Sequence, residues 1–152
     1  MATRTRYIVG FTVLSVLAAL LLPAMPQPDW YHDFADHREM FGVANFLDVA
    51  SNAAFVLAVL VGFAVVLRPR TEFAAIRERW PYAVFFAGMV LTGLGSAYYH
   101  LVPDNERLFW DRLPMTIAFM SLIAAQVVDR IDTRTGLVLL VPMLLLGAAS
   151  VI

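Results

Sequence analysis

Ser96, His100 and Asp111 are the residues of this sequence whose types and spacing best suit joint chemistry. Ser96 and His100 are four apart, so on a helix they share a face, one turn from each other. They lie at the end of an apolar run that extends from Tyr82 to Tyr99. Asp111 opens the next apolar run, after the polar stretch Val102-Pro103-Asp104-Asn105-Glu106-Arg107. A hydroxyl, an imidazole and a carboxylate thus gather at one membrane face. Imidazoles ligate metals and titrate near neutrality, and carboxylates take up protons. Ionisable groups at such places cost free energy and are functional candidates by default.

Each of the three also has a plainer reading. Gly88, Thr92, Ser96 and His100 recur every four residues, a small-residue stripe that lets another helix approach closely, and Gly93 and Gly95 add to it. The stripe explains the glycines and explains His100 poorly, because imidazole is neither small nor lipid-friendly. Asp111 sits where an N-cap belongs, with Pro114 in the first turn that would follow. A carboxylate there is held in place and favoured in its charged form, so capping and chemistry are compatible.

The elements that must position these groups are membrane helices. Of the 152 residues, 61% are hydrophobic, and the mean hydropathy is +0.73, more apolar surface than a soluble domain of this size carries. The net charge of -1 argues against a nucleic-acid surface. With no cysteine, disulfides and thiolate metal sites are excluded. Five runs approach the roughly 20 apolar residues a spanning helix needs, over about 7–25, 45–67, 82–101, 112–128 and 137–152. They make one all-α, multi-pass membrane domain over residues 1–152. Pro26, Pro28, Pro69, Pro103 and Gly136 fall between runs as breakers, and Pro142 inside the fifth predicts a kink.

Arginines set the expected orientation. Arg4, Arg6, Arg68, Arg70, Arg77, Arg79, Arg130 and Arg134 lie on one side, against Arg38, Arg107 and Arg112 on the other. The positive-inside rule then puts the N-terminus in the cytoplasm and His100 on the outer face. Arg4 and Arg6 before an apolar core also fit a signal peptide, but no Ala-x-Ala site follows, which favours a retained helix. The fifth run has no polar anchor after it, so the sequence reads as cut short.

Two further polar groups accompany the trio. Asn45, Asp48 and Asn52 fall on one face of the second run, with Ser51 adjacent. A charged Asp at a membrane-helix centre costs about 2.5 to 3.5 kcal/mol, less near an end, so Asp48 is expected to face a partner inside the bundle. These four read as support beside a site. In the first outer loop, Asp29, Asp33 and Asp36 are oxygen donors suited to Ca²⁺, without EF-hand spacing, and Trp30 and Tyr31 suit an interface. The plainer reading is a solvated loop.

Three stretches, Asn45-Phe46-Leu47-Asp48-Val49-Ala50-Ser51-Asn52, Gly93-Leu94-Gly95-Ser96-Ala97-Tyr98-Tyr99-His100 and Asp111-Arg112-Leu113-Pro114-Met115, together resemble the alkaline ceramidase family of seven-helix membrane hydrolases. The segment from Phe34 to Met120 is especially similar to bacterial ceramidase-like proteins. The resemblance implies a fold of seven helices around a zinc ion near one membrane face. It implies that His100 ligates the zinc, Ser96 holds the oxyanion or positions the substrate, and Asp111 orients the zinc-bound water and shuttles its proton. The implied reaction is hydrolysis of the amide bond of ceramide-like N-acyl lipids, drawn from the bilayer of a bacterial inner membrane. Asp29-Trp30 resembles the start of the family's calcium-binding segment, although the residues after it depart from the pattern. A second departure concerns the zinc itself. The family supplies two more ligands from a His-x-x-x-His pair on its last helix, and this chain has only His32, His37 and His100. The expectation is the N-terminal five-helix part of a longer enzyme, incomplete as it stands. The alternatives are an inactive membrane scaffold that keeps the fold, which the missing pair favours, and a small transporter, which the scarcity of polar residues in the last two runs disfavours.

Overall fold

The structure, a computed structural model, describes Leu14, Leu17, Ala18, Leu21 and residues 26–33, 36–69 and 73–151. Among the residues from 26 on that are described, four α-helices follow one another, α1 (Phe46–Leu67), α2 (Arg79–Leu101), α3 (Asn105–Arg130) and α4 (Thr133–Ala149). Single 3-10 turns occupy Asp29–His32 and Ile76–Glu78. There is no strand among the described residues. Short connections turn the chain back at each end, so neighbours in sequence pack side by side in the row α1, α2, α3, α4. The protein is an all-helical bundle.

The packing is inverted relative to a water-soluble bundle. Ala118, Ser121, Ala124 and Ala125 are buried on α3, and Gly88 and Gly93 on α2. Large apolar side chains point outward instead, among them Leu57 and Val61 on α1, Leu94 on α2, Phe119 on α3 and Leu146 on α4. Small residues inside let backbones approach, and apolar residues outside suit hydrocarbon rather than water. The segments Phe46–Leu67, Ile76–Leu101 and Asn105–Arg130 are each long and apolar enough to cross a membrane. Together these features mark a membrane protein.

Five spans were expected, and the described structure supports three. The first expected run, about 7–25, lies almost wholly outside the described residues. Its four described positions are helical and exposed. The last helix, α4, has 17 residues and falls short of a full span by length. It also starts earlier than expected. Asp132 caps it by accepting from the Thr135 N–H at 2.9 Å. Gly136 therefore lies inside the helix rather than breaking it, and a Cβ there would crowd the Val128 N at 2.7 Å and the Ala124 carbonyl oxygen at 2.8 Å. A close α3–α4 crossing, not a turn, is what this glycine serves.

The largest correction concerns Asp111. It is not an N-cap. Helix α3 begins six residues earlier, where Asp104 accepts from the Arg107 N–H at 2.7 Å. The last three residues of the polar stretch, Asn105 to Arg107, thus form the first turn of the helix, and Asp111 and Pro114 lie within it. An aspartate followed three residues later by a free N–H donor is a strong helix start, and it overrode the apolar periodicity.

Candidate functional site

Pro114 and Gly95 fix how α2 and α3 meet. Proline has no N–H, so Pro114 cannot donate to the Trp110 carbonyl four residues back. Gly95 packs against that same carbonyl, and a Cβ at position 95 would overlap its oxygen. The backbones therefore touch one residue from Ser96 on α2 and one residue from Asp111 on α3. A Cα–H to carbonyl contact is the interaction this geometry allows.

That contact brings the Ser96 side chain close to the Asp111 carboxylate. His100 and Arg112 both lie near the same carboxylate. On the far side of His100, Asp48 of α1 brings its Oδ2 to 4.0 Å from the imidazole Nδ1. The three residues singled out by spacing, with Asp48, thus occupy one end of the bundle where α1, α2 and α3 meet.

Asn45 locks this arrangement. It adopts a left-handed conformation, φ 48°, immediately before α1, one of the few non-glycine residues for which that region is accessible. Its side-chain amide donates to the His100 carbonyl at 2.8 Å. That carbonyl belongs to the last turn of α2, where acceptors lack intrahelical donors. One side chain therefore caps α2 and ties it to the start of α1. Ser51 and Asn52 do not join the site. Their side chains donate back to the Asp48 carbonyl, each at 2.9 Å. Thr92 likewise spends its hydroxyl on the Gly88 carbonyl at 2.9 Å.

A strap formed by the segment before α1 crosses this end. Gln27 and Asn105 exchange two hydrogen bonds, at 3.1 and 3.0 Å. The Arg112 guanidinium lies 5.6 Å from the Tyr31 ring centre and donates to its hydroxyl at 3.3 Å. His32 Nδ1 shares a 2.7 Å hydrogen bond with the hydroxyl of Tyr99, which is 3% exposed. The strap borders an open depression of about 410 Å³, lined by Tyr31, Asp111, Arg112 and Thr116 together with Met115, Phe119 and Val151. Polar and apolar groups mix on its wall, which suits an amphiphile.

Sequence reasoning missed His32 and Tyr99 because their partnership spans 67 positions. It also misread Asp36, grouped with the oxygen donors suited to calcium. Asp36 is 7% exposed, and its carboxylate is committed to the Leu47 N–H at 2.8 Å and to Arg38 Nε at 2.8 Å. Desolvation pushes this carboxyl up, but the Leu47 and Arg38 hydrogen bonds outweigh it and hold it below its ordinary value of 3.8. A depressed carboxyl contributes stability that is present above the unfolded value and lost as pH falls through the folded one. Asp36→Asn is accordingly expected to loosen the strap at neutral pH. Amide exchange at Leu47 should show this as faster exchange in the variant, and in the native chain only below about pH 4. Of the other two calcium candidates, Asp29 opens the Asp29–His32 turn and is exposed, and Asp33 forms an exposed pair with His37 at 3.7 Å.

As a metal centre the donor set is partial. Among the described residues no group of three or more His, Cys, Asp or Glu side chains is arranged to hold an ion, whereas a catalytic zinc takes three protein ligands. One imidazole flanked by two carboxylates does not by itself fit a catalytic zinc. What fold and site define is a class: a helical membrane protein with a Ser-His-Asp cluster at one end of its bundle. No family model matches the chain, and no curated protein or solved structure does so either.

Proposed function

We propose that this chain carries the Ser96, His100 and Asp111 part of a hydrolytic centre for the amide bond of ceramide-like N-acyl lipids. The single observation that carries this reading is the approach of those three side chains, from two helices, beside an open depression with both polar and apolar lining. The resemblance to alkaline ceramidases noted in the sequence adds support.

In this reading Asp111 takes a proton from the attacking water and delivers it to the leaving amine. Ser96 fixes the orientation of that carboxylate and donates to the amide oxygen as charge builds on it. Asp48 orients the His100 ring, and Asn45 holds the end of α2 in place. Zinc, when bound, would acidify water and polarise the carbonyl. His100 would be its imidazole donor from this chain. Calcium at Asp29 belongs to the same proposal. The lipid reaches the depression from the outer leaflet, the N-terminus being cytoplasmic by the arginine asymmetry.

The test is an assay of purified protein in lipid nanodiscs against a panel of N-acyl lipids, with and without added zinc. Fatty-acid release that needs zinc and disappears in His100→Ala is the expected result. A metal-free protein that hydrolyses none of the panel and loses no thermal stability on His100→Ala would support an inactive scaffold instead.

A further inference from the structure

The end of the bundle opposite His100 holds a second built feature. α2 separates the two ends by 23 residues, on the order of 35 Å at 1.5 Å per residue, close to the thickness of a hydrocarbon core. There, an open depression of about 550 Å³ lies between the Ile76–Glu78 turn and the start of α4. Its wall is formed by Arg77 and Arg134, with Ala75, Thr133, Leu137 and Val138. Leu137 and Val138 continue down the outer face of α4, and Val138 is 65% exposed.

The described carboxylates at this end, Glu78, Asp129 and Asp132, are already engaged. Glu78 accepts from the Thr133 hydroxyl at 2.9 Å. Asp129 accepts from the Tyr82 hydroxyl. Asp132 caps α4 at Thr135 and attracts Arg134 without closing an ion pair. Among the described residues neither Arg77 nor Arg134 has an ion-pair partner. Arg79 lies beside them in sequence, over the ring of Trp80 at 5.2 Å, with its Nε buried and without a hydrogen-bond partner among the described residues. An exposed tryptophan, arginines without an ion-pair partner among the described residues and an apolar flank together describe a positively charged membrane–water interface.

We infer that the Arg77–Arg134 depression binds the phosphate headgroup of an anionic phospholipid, whose first methylenes lie along Leu137 and Val138. Guanidinium matches phosphate in charge and geometry, and the apolar flank favours a lipid over a free anion. The inference rests on the membrane placement and not on the hydrolase reading.

The experiment is native mass spectrometry of the full chain released from detergent, titrated with phosphatidylglycerol or phosphatidylcholine. Phosphatidylglycerol is expected to bind more tightly, by about 10-fold or more. A basic residue near a membrane surface is worth about 1 kcal/mol, so the pair Arg77→Gln and Arg134→Gln is expected to weaken phosphatidylglycerol binding about 30-fold. Either single change should weaken it about 5-fold, a readout that remains if the double variant does not fold. Arg→Lys at both positions keeps the charge and should keep most of the affinity. Equal binding of the two lipids, or undiminished phosphatidylglycerol binding in the Gln variants, would overturn the site. Displacement of the lipid by millimolar inorganic phosphate would overturn the choice of a lipid ligand.

Discussion

Asp111→Asn is expected to lower lipid amide hydrolysis by about 10²- to 10⁴-fold, the usual worth of a positioned acid–base group. Asparagine keeps the size of the side chain and a hydrogen-bonding atom for Ser96, but it cannot take a proton. Asp111 lies in the second turn of α3, past the cap at Asp104, so the helix start does not depend on it. Kinetics on the nanodisc-embedded protein should therefore show kcat falling while KM and the melting temperature stay near their native values. A matching loss of stability would assign Asp111 to packing instead. Ser96→Ala should produce a smaller loss. In the double variant the two effects should fall short of adding, because the groups act on one another.

Gly95→Val is the second large effect, and it acts on the fold. Even the first side-chain carbon would overlap the Trp110 carbonyl oxygen, which is backbone and cannot swing aside. Overpacking of this kind costs about 1–3 kcal/mol, and here it must also push α2 from α3 at the point that brings Ser96 to Asp111. Unfolding by denaturant should report the destabilisation, and activity should fall further than stability alone explains. Gly62→Val is the useful contrast. Its crowding neighbour is the Phe86 ring, a side chain able to rotate, so the same class of substitution should be milder there.

Local patterns carried much of this account. Spacing of four placed Ser96 and His100 on one helix face, and the cost of a charge in hydrocarbon pointed Asp48 toward a partner, which the structure places at His100. The boundary of α3 was not legible in hydropathy, because the polar residues Asn105 to Arg107 continue the helix past its apolar part. Its signal was the cap at Asp104, which hydropathy does not weigh. The bond between His32 and Tyr99 and the burial of Asp36 are tertiary facts, set by where a loop lands, and no local period encodes them. Gly95 was legible as a small residue, but its purpose becomes visible only with Pro114, which leaves the Trp110 carbonyl without its helical donor.

The central claim, a proposal, is that Ser96, His100 and Asp111 form one centre in which His100 contributes one ligand of a divalent ion. Equilibrium dialysis of the purified chain against buffered zinc tests it most directly. Zinc bound to the native protein, with affinity reduced about 10-fold or more by His100→Ala and measurably by Asp111→Asn, is the predicted result. Zinc binding that neither substitution changes would contradict the account and leave only a packing motif at this end of the bundle.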